Sequence, residues 1–440
     1  MRRLLMISPH FPPDQTAGAH RVRVLAPYLE AMGWRPTVLT VDPRDYEGQL
    51  DEELVSRLPA DLDVVRCRAV PAEWSRRVGF GDLGLRALPS IARTARELVE
   101  SRRIDAVYVT TYPVYPALVG PRLKRQYRLP FVLDLQDPWV GAWGAEVGPG
   151  PGGRPDARSR ASRLLARWVE RRVLPKADAL TGVSSALLDE LAERYPVLQS
   201  RPRRVMPIGL DPADLAWVDQ HPKAMAVAPA APGLWHLCYV GTLLPLGWDT
   251  MRAVFAAVRQ LRDLRPALAA RLRLHFVGTS NEARADAPPR VRDLAVAEGV
   301  GDLVTEYPAR VPFLDALRVL RAADAVLVAG TSEARYTASK LQPAIASGRP
   351  VLAIVHRASD VARLIAPVLR LDPAVRFIGY DEQTPPFAVR GEIAVTLAEW
   401  LESPPPRPTL AAAALAGQTA PELAADLAGL LDGVVWSARG

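Results

Sequence analysis

The sequence predicts an α/β protein of two doubly wound domains, each a parallel sheet with helices on both faces, that face each other across a cleft. Short apolar runs alternate with amphipathic stretches along the 440 residues, which is typical of repeated strand–helix–strand units. A segment with three prolines and many small residues, 219–233, divides this alternation into two series, as an interdomain linker does. A chain of this length is also expected to form about two domains.

The first series contains seven apolar runs that predict strands. They lie at residues 4–8, 37–41, 64–70, 106–110, 131–135, 179–183 and 205–208. Amphipathic stretches predict helices between them, for example at 19–32, 90–102 and 159–174. The second series predicts strands at 236–240, 272–277, 325–329, 351–355 and 376–378. Its predicted helices include 250–264, 312–322 and 338–347.

These elements predict four segments along the chain. They are a first domain at 1–218, a linker at 219–233, a second domain at 234–402 and a tail at 403–440 that turns from Pro-rich to Ala/Leu-rich sequence. Ligands of doubly wound domains bind beyond the carboxyl ends of the strands. The loops after the predicted strands are therefore where site residues are expected.

The charge balance is basic, and almost all of the positive charge is arginine. Lysine and arginine number 55 against 48 acidic residues, a net charge of +7. Such a balance fits an anionic membrane face, a polyphosphate substrate or an Arg-rich coding bias. Basic runs with interleaved aromatic residues are not found, so no nucleic-acid partner is predicted.

Cysteine use and hydropathy predict a cytoplasmic protein, with attachment to the inner membrane face as an alternative. Cys67 and Cys238 lie far apart in apolar runs, which favours a reducing compartment without disulfides. No uncharged apolar stretch reaches the length of a membrane span. The predicted helix at 159–174 carries many arginines beside Leu164 and Trp168, so it either lies on an anionic membrane or is an ordinary surface helix.

The segment 336–354 is the most informative motif, and it reads YTASKLQPAIASGRPVLAI. A helical stretch that includes Ser339 and Lys340 stops at Gly348 and leads through Pro350 into an apolar strand, as expected from glycine and proline stop signals. The N–H groups and positive dipole end of such a helix suit a phosphate group.

This segment resembles the nucleotide-sugar-binding signature of glycosyltransferase family 4, the retaining GT-B enzymes, in which SKLFEYLASGRPVLA is typical. Residues 130–143, PFVLDLQDPWVGAW, resemble the family's PWVADLRDPW, and residues 8–23, SPHFPPDQTAGAHRVR, resemble its YFPPDxGGGAxR loop. The resemblance runs from Leu4 to about Leu401. It implies the GT-B architecture of two Rossmann-like domains, with the C-terminal helices crossing back onto the first domain.

The resemblance also implies an activity. A sugar would pass from a nucleotide diphosphate sugar to an acceptor hydroxyl of a polysaccharide, a lipid-linked glycan or a small molecule, with retention of configuration. No cofactor beyond the nucleotide sugar and no metal are expected, because helix dipoles and basic side chains can hold the diphosphate. Polysaccharide biosynthesis is the expected setting.

Acceptor-side residues are assigned from the matched motifs of the first domain. Gly18 and Arg21 are expected to contact an acceptor or phosphate, and His20 is a candidate proton shuttle. Asp137 either accepts hydrogen bonds from a sugar hydroxyl or a basic neighbour, or caps the turn that follows. Trp139, like Trp143, either stacks on an acceptor ring or packs between domains.

Donor-side residues are assigned from the second domain. Residues 235–249 resemble the donor-phosphate loop YVGRLxPEKG, and residues 274–283 resemble the family's FVGxG. The candidate donor-binding residues are Gly241, Thr242, Gly278, Arg310, Glu333, Ser339 and Lys340. Glu333 would contact the nucleotide ribose.

Four positions depart from the family pattern. Pro343 replaces the donor-binding Glu, Ala117 replaces a His, and Thr242 and Gly247 replace a basic pair. They favour an alternative hypothesis, a catalytically altered GT-B protein that acts as a binding or scaffold partner in polysaccharide assembly. A lesser alternative is a sugar-nucleotide epimerase of the same fold, against which the two strongest motifs argue.

Overall fold

The computed structural model describes residues 1–77, 81–112, 114–140, 157–223, 233–243, 245–280, 282, 284, 286–332, 340–369, 372–408 and 415–439. The chain divides into two compact units. Unit 1 comprises Met1–Asp211 and Gly417–Gly440, and unit 2 comprises Pro212–Ala416. The boundary after residue 211 lies seven residues before the end predicted for the first domain, because a helix begins at Pro212.

Unit 1 contains a seven-stranded parallel sheet in the order β3-β2-β1-β4-β5-β6-β7. Its strands are β1 (Arg2–Ile7), β2 (Trp34–Val41), β3 (Asp63–Cys67), β4 (Ala106–Thr110), β5 (Phe131–Leu135), β6 (Ala179–Gly182) and β7 (Arg203–Val205). The central strands β4 and β5 are buried along their whole length, as their unbroken apolar runs predict.

Helices cover both faces of this sheet. They are α1 (His20–Leu29), α2 (Glu52–Val55), α3 (Ala72–Arg77), α4 (Leu83–Ser101), α5 (Val119–Tyr127), α6 (Ala157–Val173) and α7 (Ser185–Arg194). The helix α4 begins seven residues before its predicted start. Its first turn is capped by the Asp82 carboxylate, which accepts a hydrogen bond of 2.9 Å from the backbone N–H of Leu85.

Unit 2 contains a six-stranded parallel sheet in the order β10-β9-β8-β11-β12-β13. Its strands are β8 (Trp235–Val240), β9 (Leu272–Val277), β10 (Val304–Tyr307), β11 (Ala325–Ala329), β12 (Val351–His356) and β13 (Val375–Tyr380). Its helices are α8 (Pro212–Gln220), α9 (Trp248–Leu264), α10 (Pro266–Ala269), α11 (Arg292–Ala297), α12 (Phe313–Ala322), α13 (Leu341–Ala346), α14 (Asp360–Leu369) and α15 (Arg390–Glu402).

The last helix, α16 (Ala420–Arg439), returns to unit 1. Its residues Leu423, Leu427 and Leu431 are buried in the same core cluster as Val22 and Leu25 of α1. A parallel bridge between Leu210 and Thr419 joins the two parts of unit 1 beside the start of this helix. The apolar face of α1 is therefore covered by a segment from the far end of the sequence.

The predicted fold class is confirmed in each unit. Both sheets are parallel, and both strand orders reverse direction once. The reversal lies between β1 and β4 in unit 1 and between β8 and β11 in unit 2. Such switch points open a crevice at the carboxyl edge of a doubly wound sheet, and they locate the candidate sites described next.

Candidate functional site

The switch point of unit 2 brings together three of the predicted donor-side residues. Gly241 follows β8, and Gly278 follows β9. Lys340 directly precedes α13, the helix that lies between β11 and β12 in the sequence. A Cβ atom built on Gly241 would lie 2.6 Å from the Lys340 Cε, and one on Gly278 would lie 4.0 Å from the Gly241 Cα. The glycines thus leave space that the lysine side chain and the backbone fill.

The backbone at both glycines is left-handed. Gly241 has a φ of +122° and Gly278 a φ of +69°, which L side chains rarely adopt. Their amides donate to Val277 O and Tyr307 O over 2.8 Å each, so each turn is held against the next strand of the sheet. Two adjacent strand ends are therefore closed by tight turns at the crevice.

The Lys340 ammonium is enclosed by protein although part of the residue remains exposed. Its Nζ donates to the hydroxyl of Tyr239 and, over 2.6 Å, to the carbonyl oxygen of Thr242. It also lies 4.4 Å from the centroid of the Tyr239 ring, a cation–π contact. Thr242 contacts the lysine through its backbone, so its side chain is not part of this contact.

Desolvation dominates the electrostatics of Lys340. Burial lowers the pKa of its ammonium to about 7, and within the described part of the chain no carboxylate pairs with it. A positive charge held by a hydroxyl, a carbonyl dipole and a ring face is only partly compensated. An added anion would restore the pKa towards its usual value, so this arrangement favours anion binding.

The remaining donor-side residues have more varied positions. Arg310 is half-buried, and its backbone N–H donates to Glu282 O over 2.9 Å. Pro343 is the third residue of α13, where a proline is tolerated because the first-turn N–H has no partner within the helix. Glu333 and Ser339 lie outside the described residues.

Gly18 allows a close approach in unit 1. It is buried between β1 and α1, and a Cβ atom built on it would lie 2.4 Å from Tyr112 Cδ1. Tyr112 follows β4, so this packing joins the two loops on either side of the unit 1 switch point. Ala117, where a His was expected from the family, is fully buried in the core nearby.

Arg21 does not occupy the predicted acceptor-side position. Its side chain is 0% exposed, and Nε donates to the Asp134 carboxylate over 3.1 Å. Its two terminal nitrogens donate to Pro207 O over 2.6 Å and to Met206 O over 2.5 Å. The prediction of a ligand contact is therefore wrong for this residue, because its charge is already neutralised inside the core.

The other acceptor-side candidates lie at the carboxyl edge of unit 1. His20 is the first residue of α1 and is half-buried. Trp139 packs against the core of unit 1, and its Nε1 donates to Thr111 Oγ1 over 3.0 Å. Its stacking on an acceptor ring stays a prediction. Trp143 lies outside the described residues.

Asp137 follows β5 and combines an exposed surface with an elevated pKa. Desolvation by surrounding protein raises the pKa of its carboxyl to about 6, whereas the exposed residue surface shows that water reaches the group. Solvent access weakens the desolvation that raises the pKa of this carboxyl. Among the described residues its carboxylate accepts no capping hydrogen bond, and both interpretations of Asp137 stay predictions.

Sequence reasoning missed one pair in the same loop. His10 Nδ1 contacts the Asp14 carboxylate, and the two side chains are largely buried. The signal was present as a His and an Asp four residues apart directly after β1. Both residues lie in the loop at 8–23, but neither was assigned an acceptor-side role.

Comparisons with known proteins agree with this geometry. The sequence profile described as "Glycosyl transferase 4-like domain" matches residues 16–210. Residues 16–210 are thus similar to this domain family. The predicted family resemblance is thereby confirmed, and the match covers most of the first part of unit 1. No curated protein matches the sequence.

Solved structures with the same fold extend the likeness over the whole chain. HepE from Anabaena, in complex with UDP and glucose, is 15% identical with a TM-score of 0.61, covering 98% of this chain and 100% of its own. The trehalose 6-phosphate synthase of Burkholderia multivorans is 13% identical with a TM-score of 0.63, covering 100% and 98%. A glycosyltransferase from Rickettsia africae is 11% identical with a TM-score of 0.58, covering 99% and 98%. These likenesses show the GT-B fold.

Membrane-spanning helices and metal-ligand clusters were also considered for the described residues. No helix among them has both the length and the hydropathy of a membrane span. No group of three or more His, Cys, Asp or Glu side chains in that part of the chain is arranged to hold a metal ion.

Replacing Arg21 is expected to destabilise unit 1. Arg21→Met leaves Asp134 charged in a site that is 0% exposed, and breaking a buried pair in this way costs about 3–5 kcal/mol. Chemical denaturation measures the loss. The control is Arg93→Met, which removes an exposed pair with Glu97 and should leave stability nearly unchanged. An Arg21→Met protein as stable as the control would contradict the structural role.

Proposed function

We propose that this protein is a glycosyltransferase that takes its sugar from a nucleotide diphosphate sugar. The observation that carries the proposal is the enclosed, partly compensated charge of Lys340 beside two left-handed glycines at the switch point of unit 2. A diphosphate is the group that such a cation and close backbone approach suit. The glycosyl transferase 4-like domain and the UDP in the HepE structure support the same assignment.

The donor-side residues have different proposed roles in binding the nucleotide sugar. Lys340 would neutralise the leaving diphosphate as the bond from sugar to phosphate breaks, which is where electrostatic stabilisation contributes most. Gly241 and Gly278 would let the phosphates approach the backbone. Glu333, Ser339, Thr242 and Arg310 remain proposed contacts of the nucleotide.

The acceptor is proposed to bind at unit 1, where Asp137 would accept a hydrogen bond from a sugar hydroxyl. Transfer with retention and without a metal is proposed from the family resemblance. The acceptor would be a polysaccharide, a lipid-linked glycan or a small molecule, and the setting cytoplasmic polysaccharide assembly. No nucleic acid and no further cofactor are part of the proposal.

The second candidate is a GT-B protein that binds a nucleotide sugar without turning it over. The observation that favours it is Pro343, which puts no carboxylate in the first turn of α13. Under this hypothesis the protein would act as a binding or scaffold partner. An epimerase, the lesser candidate, would release an altered nucleotide sugar without an acceptor, which product analysis detects.

The first test is a thermal-shift screen with nucleoside diphosphates and their common sugars. A ligand that binds only the folded state raises its apparent stability, so one nucleotide class should raise the melting temperature. Lys340→Met should weaken that affinity about 10- to 100-fold, because a hydrogen bond to a charged group contributes about 1.5–3 kcal/mol. Lys176→Met, a change at an exposed lysine, is the control. Unchanged affinity in Lys340→Met would remove this residue from the donor site.

The low pKa of Lys340 adds a pH signature. Because only the protonated ammonium attracts a diphosphate, raising the pH from about 7 to 8.5 should lower affinity in the wild-type protein, by at most about tenfold per pH unit. The bound anion will itself raise the pKa of Lys340 and reduce this slope. The Lys340→Met protein should show no such decline, and calorimetric titration at both pH values measures it. Equal slopes in the two proteins would contradict the assignment.

Asp137→Asn should lower turnover at least about tenfold while leaving the melting temperature nearly unchanged. The amide keeps the size of the side chain but loses the charge that accepts a proton or a strong hydrogen bond. Release of nucleoside diphosphate from the donor identified above measures turnover. Asp189→Asn, at an exposed position of unit 1, is the control. A large loss of stability instead of turnover would support the capping interpretation.

Membrane contact through α6 is a further part of the proposal. Leu164, Arg167, Trp168 and Arg171 lie at helical spacing on one exposed face, with Leu164 66% and Trp168 45% exposed. Arg172 also lies over the Trp168 ring, at 4.8 Å from its centroid. Apolar side chains flanked by arginines suit an anionic lipid surface.

Vesicle sedimentation tests this contact. The wild-type protein should bind vesicles of phosphatidylcholine and phosphatidylglycerol and should be released by salt. The double variant Leu164→Ser, Trp168→Ser should bind much less. Leu264→Ser, which changes an exposed leucine of α9, should bind normally. Equal binding by all three proteins, or no binding by the wild-type protein, would contradict membrane contact through α6.

A further inference from the structure

The pair of His10 and Asp14 lies beside the switch point of unit 1. His10 follows β1, and its ring centroid lies 5.7 Å from that of Tyr112, which follows β4. The strands β1 and β4 are the two neighbours between which the strand order reverses. In a doubly wound sheet this is the crevice where polar ligands bind.

Asp14 is held rigidly. Its Oδ1 accepts from the backbone N–H of Thr16 over 3.0 Å, and its Oδ2 accepts from Thr16 Oγ1 over 2.9 Å and contacts His10 Nδ1. Burial acts to raise the pKa of Asp14, but the hydrogen bonds and charge of His10 and the bonds from Thr16 outweigh it and lower the pKa. The carboxylate is therefore ionised at neutral pH and can only accept hydrogen bonds.

An ionised Asp14 determines the tautomer of His10. Because the carboxylate cannot donate, Nδ1 must carry the proton of their shared hydrogen bond. In the neutral ring Nε2 then has a free lone pair. This is the orientation that a carboxylate imposes on a histidine that acts as a base.

Two tyrosine rings pack against the His10 ring, and part of the side chain remains exposed. The Tyr46 ring stacks at 6.2 Å between centroids with an interplanar angle of 15°, and the Tyr112 ring lies on another side. The charge of Asp82 also interacts with His10. The His10 side chain is 14% exposed, and within the described residues Nε2 bonds to no protein atom.

We propose that His10, positioned by Asp14, is the group in unit 1 that binds and deprotonates the acceptor hydroxyl. This inference rests on the proposed glycosyltransferase function and adds a proton acceptor, the role for which Ala117 lacks the chemistry. It replaces His20 in that role, because the contact with Asp14 orients the His10 ring.

The acceptor oxygen forms a bond to the anomeric carbon of the sugar on the face from which the diphosphate departs, as retention requires, while the bond from that carbon to the leaving diphosphate oxygen breaks. The hydroxyl proton passes to His10 Nε2, whose imidazolium is stabilised by Asp14. The diphosphate leaves with the electron pair of the broken bond, and His10 returns its proton to solvent.

Histidine NMR of the full-length protein tests the tautomer. With ¹⁵N-labelled histidine, the neutral His10 ring should show a protonated Nδ1 and an unprotonated Nε2. The His10→Asn variant assigns the signal by its loss. Asp14→Asn should shift the tautomer equilibrium. A neutral His10 protonated at Nε2 in the wild-type protein would overturn the proposal, because such a nitrogen cannot accept a proton.

Two substitutions separate proton transfer from loop packing. The amide of His10→Asn can still bond to Asp14 but has no group at the Nε2 position, and His10→Gln places an amide near Nε2 that cannot act as a base. Both should lower turnover by about 10²-fold or more, measured as diphosphate released from the nucleotide sugar identified by the thermal-shift screen. The shift produced by that nucleotide should stay unchanged. The rate of the wild-type protein should rise with pH through one ionisation that the residual activity of His10→Gln lacks.

The outcomes distinguish this inference from the proposed function. Wild-type rates in both His10 variants would overturn the role of His10 and leave the glycosyltransferase proposal standing. A wild-type protein that binds no nucleotide would overturn the proposed function and the acceptor role with it. Nucleotide binding without any transfer or hydrolysis would favour the binding protein, and would likewise overturn His10 as a proton acceptor.

Discussion

The buried pair of Arg21 and Asp134 is the interaction on which the architecture of unit 1 depends. Asp134 lies on β5 and also accepts from Thr110 Oγ1 of β4 over 2.9 Å and from Thr181 Oγ1 of β6 over 2.7 Å. Arg21 lies on α1 and donates to two carbonyl groups that follow β7. One ion pair thus connects the adjacent strands β4, β5 and β6 with α1 and with the segment after β7, the last strand of unit 1. The loop that carries Gly18 and His10 is fixed at one end by this pair.

The same contacts explain why two cations with similar sequence signals differ in what they can do. Arg21 has a carboxylate and two carbonyl groups, so its charge is satisfied inside the protein. Lys340 has a hydroxyl, one carbonyl and a ring face, and burial lowers its pKa. A ligand anion would therefore compensate the charge of the lysine, whereas the charge of the arginine is already compensated. Whether a buried cation has a structural role depends on whether an acidic group neighbours it. For Arg21 that group is Asp134, 113 residues away in the sequence.

Much of the fold could be predicted because buried parallel strands are continuous apolar runs. The bounds of β4, β5, β9 and β11 agree with prediction, whereas β10 was not predicted, since it is a short edge strand with Glu306 and Thr305 in its four residues. The grouping of Gly241, Gly278 and Lys340 in unit 2 agrees with the local motifs, whereas their role in donor binding stays a prediction. The role of Arg21 was not predictable, because a distant partner decides it. His10 was missed although its partner Asp14 lies in the same loop.

The return of α16 to unit 1 has a consequence for how the chain matures during synthesis. Unit 2 is one continuous stretch of the chain, so its strands are synthesised in succession with no part of unit 1 between them. Unit 1 keeps the apolar face of α1 uncovered until Leu423, Leu427 and Leu431 have been translated. Unit 1 begins before unit 2 and is completed after it. During that interval it has exposed hydrophobic surface, the condition in which nascent chains aggregate or engage chaperones.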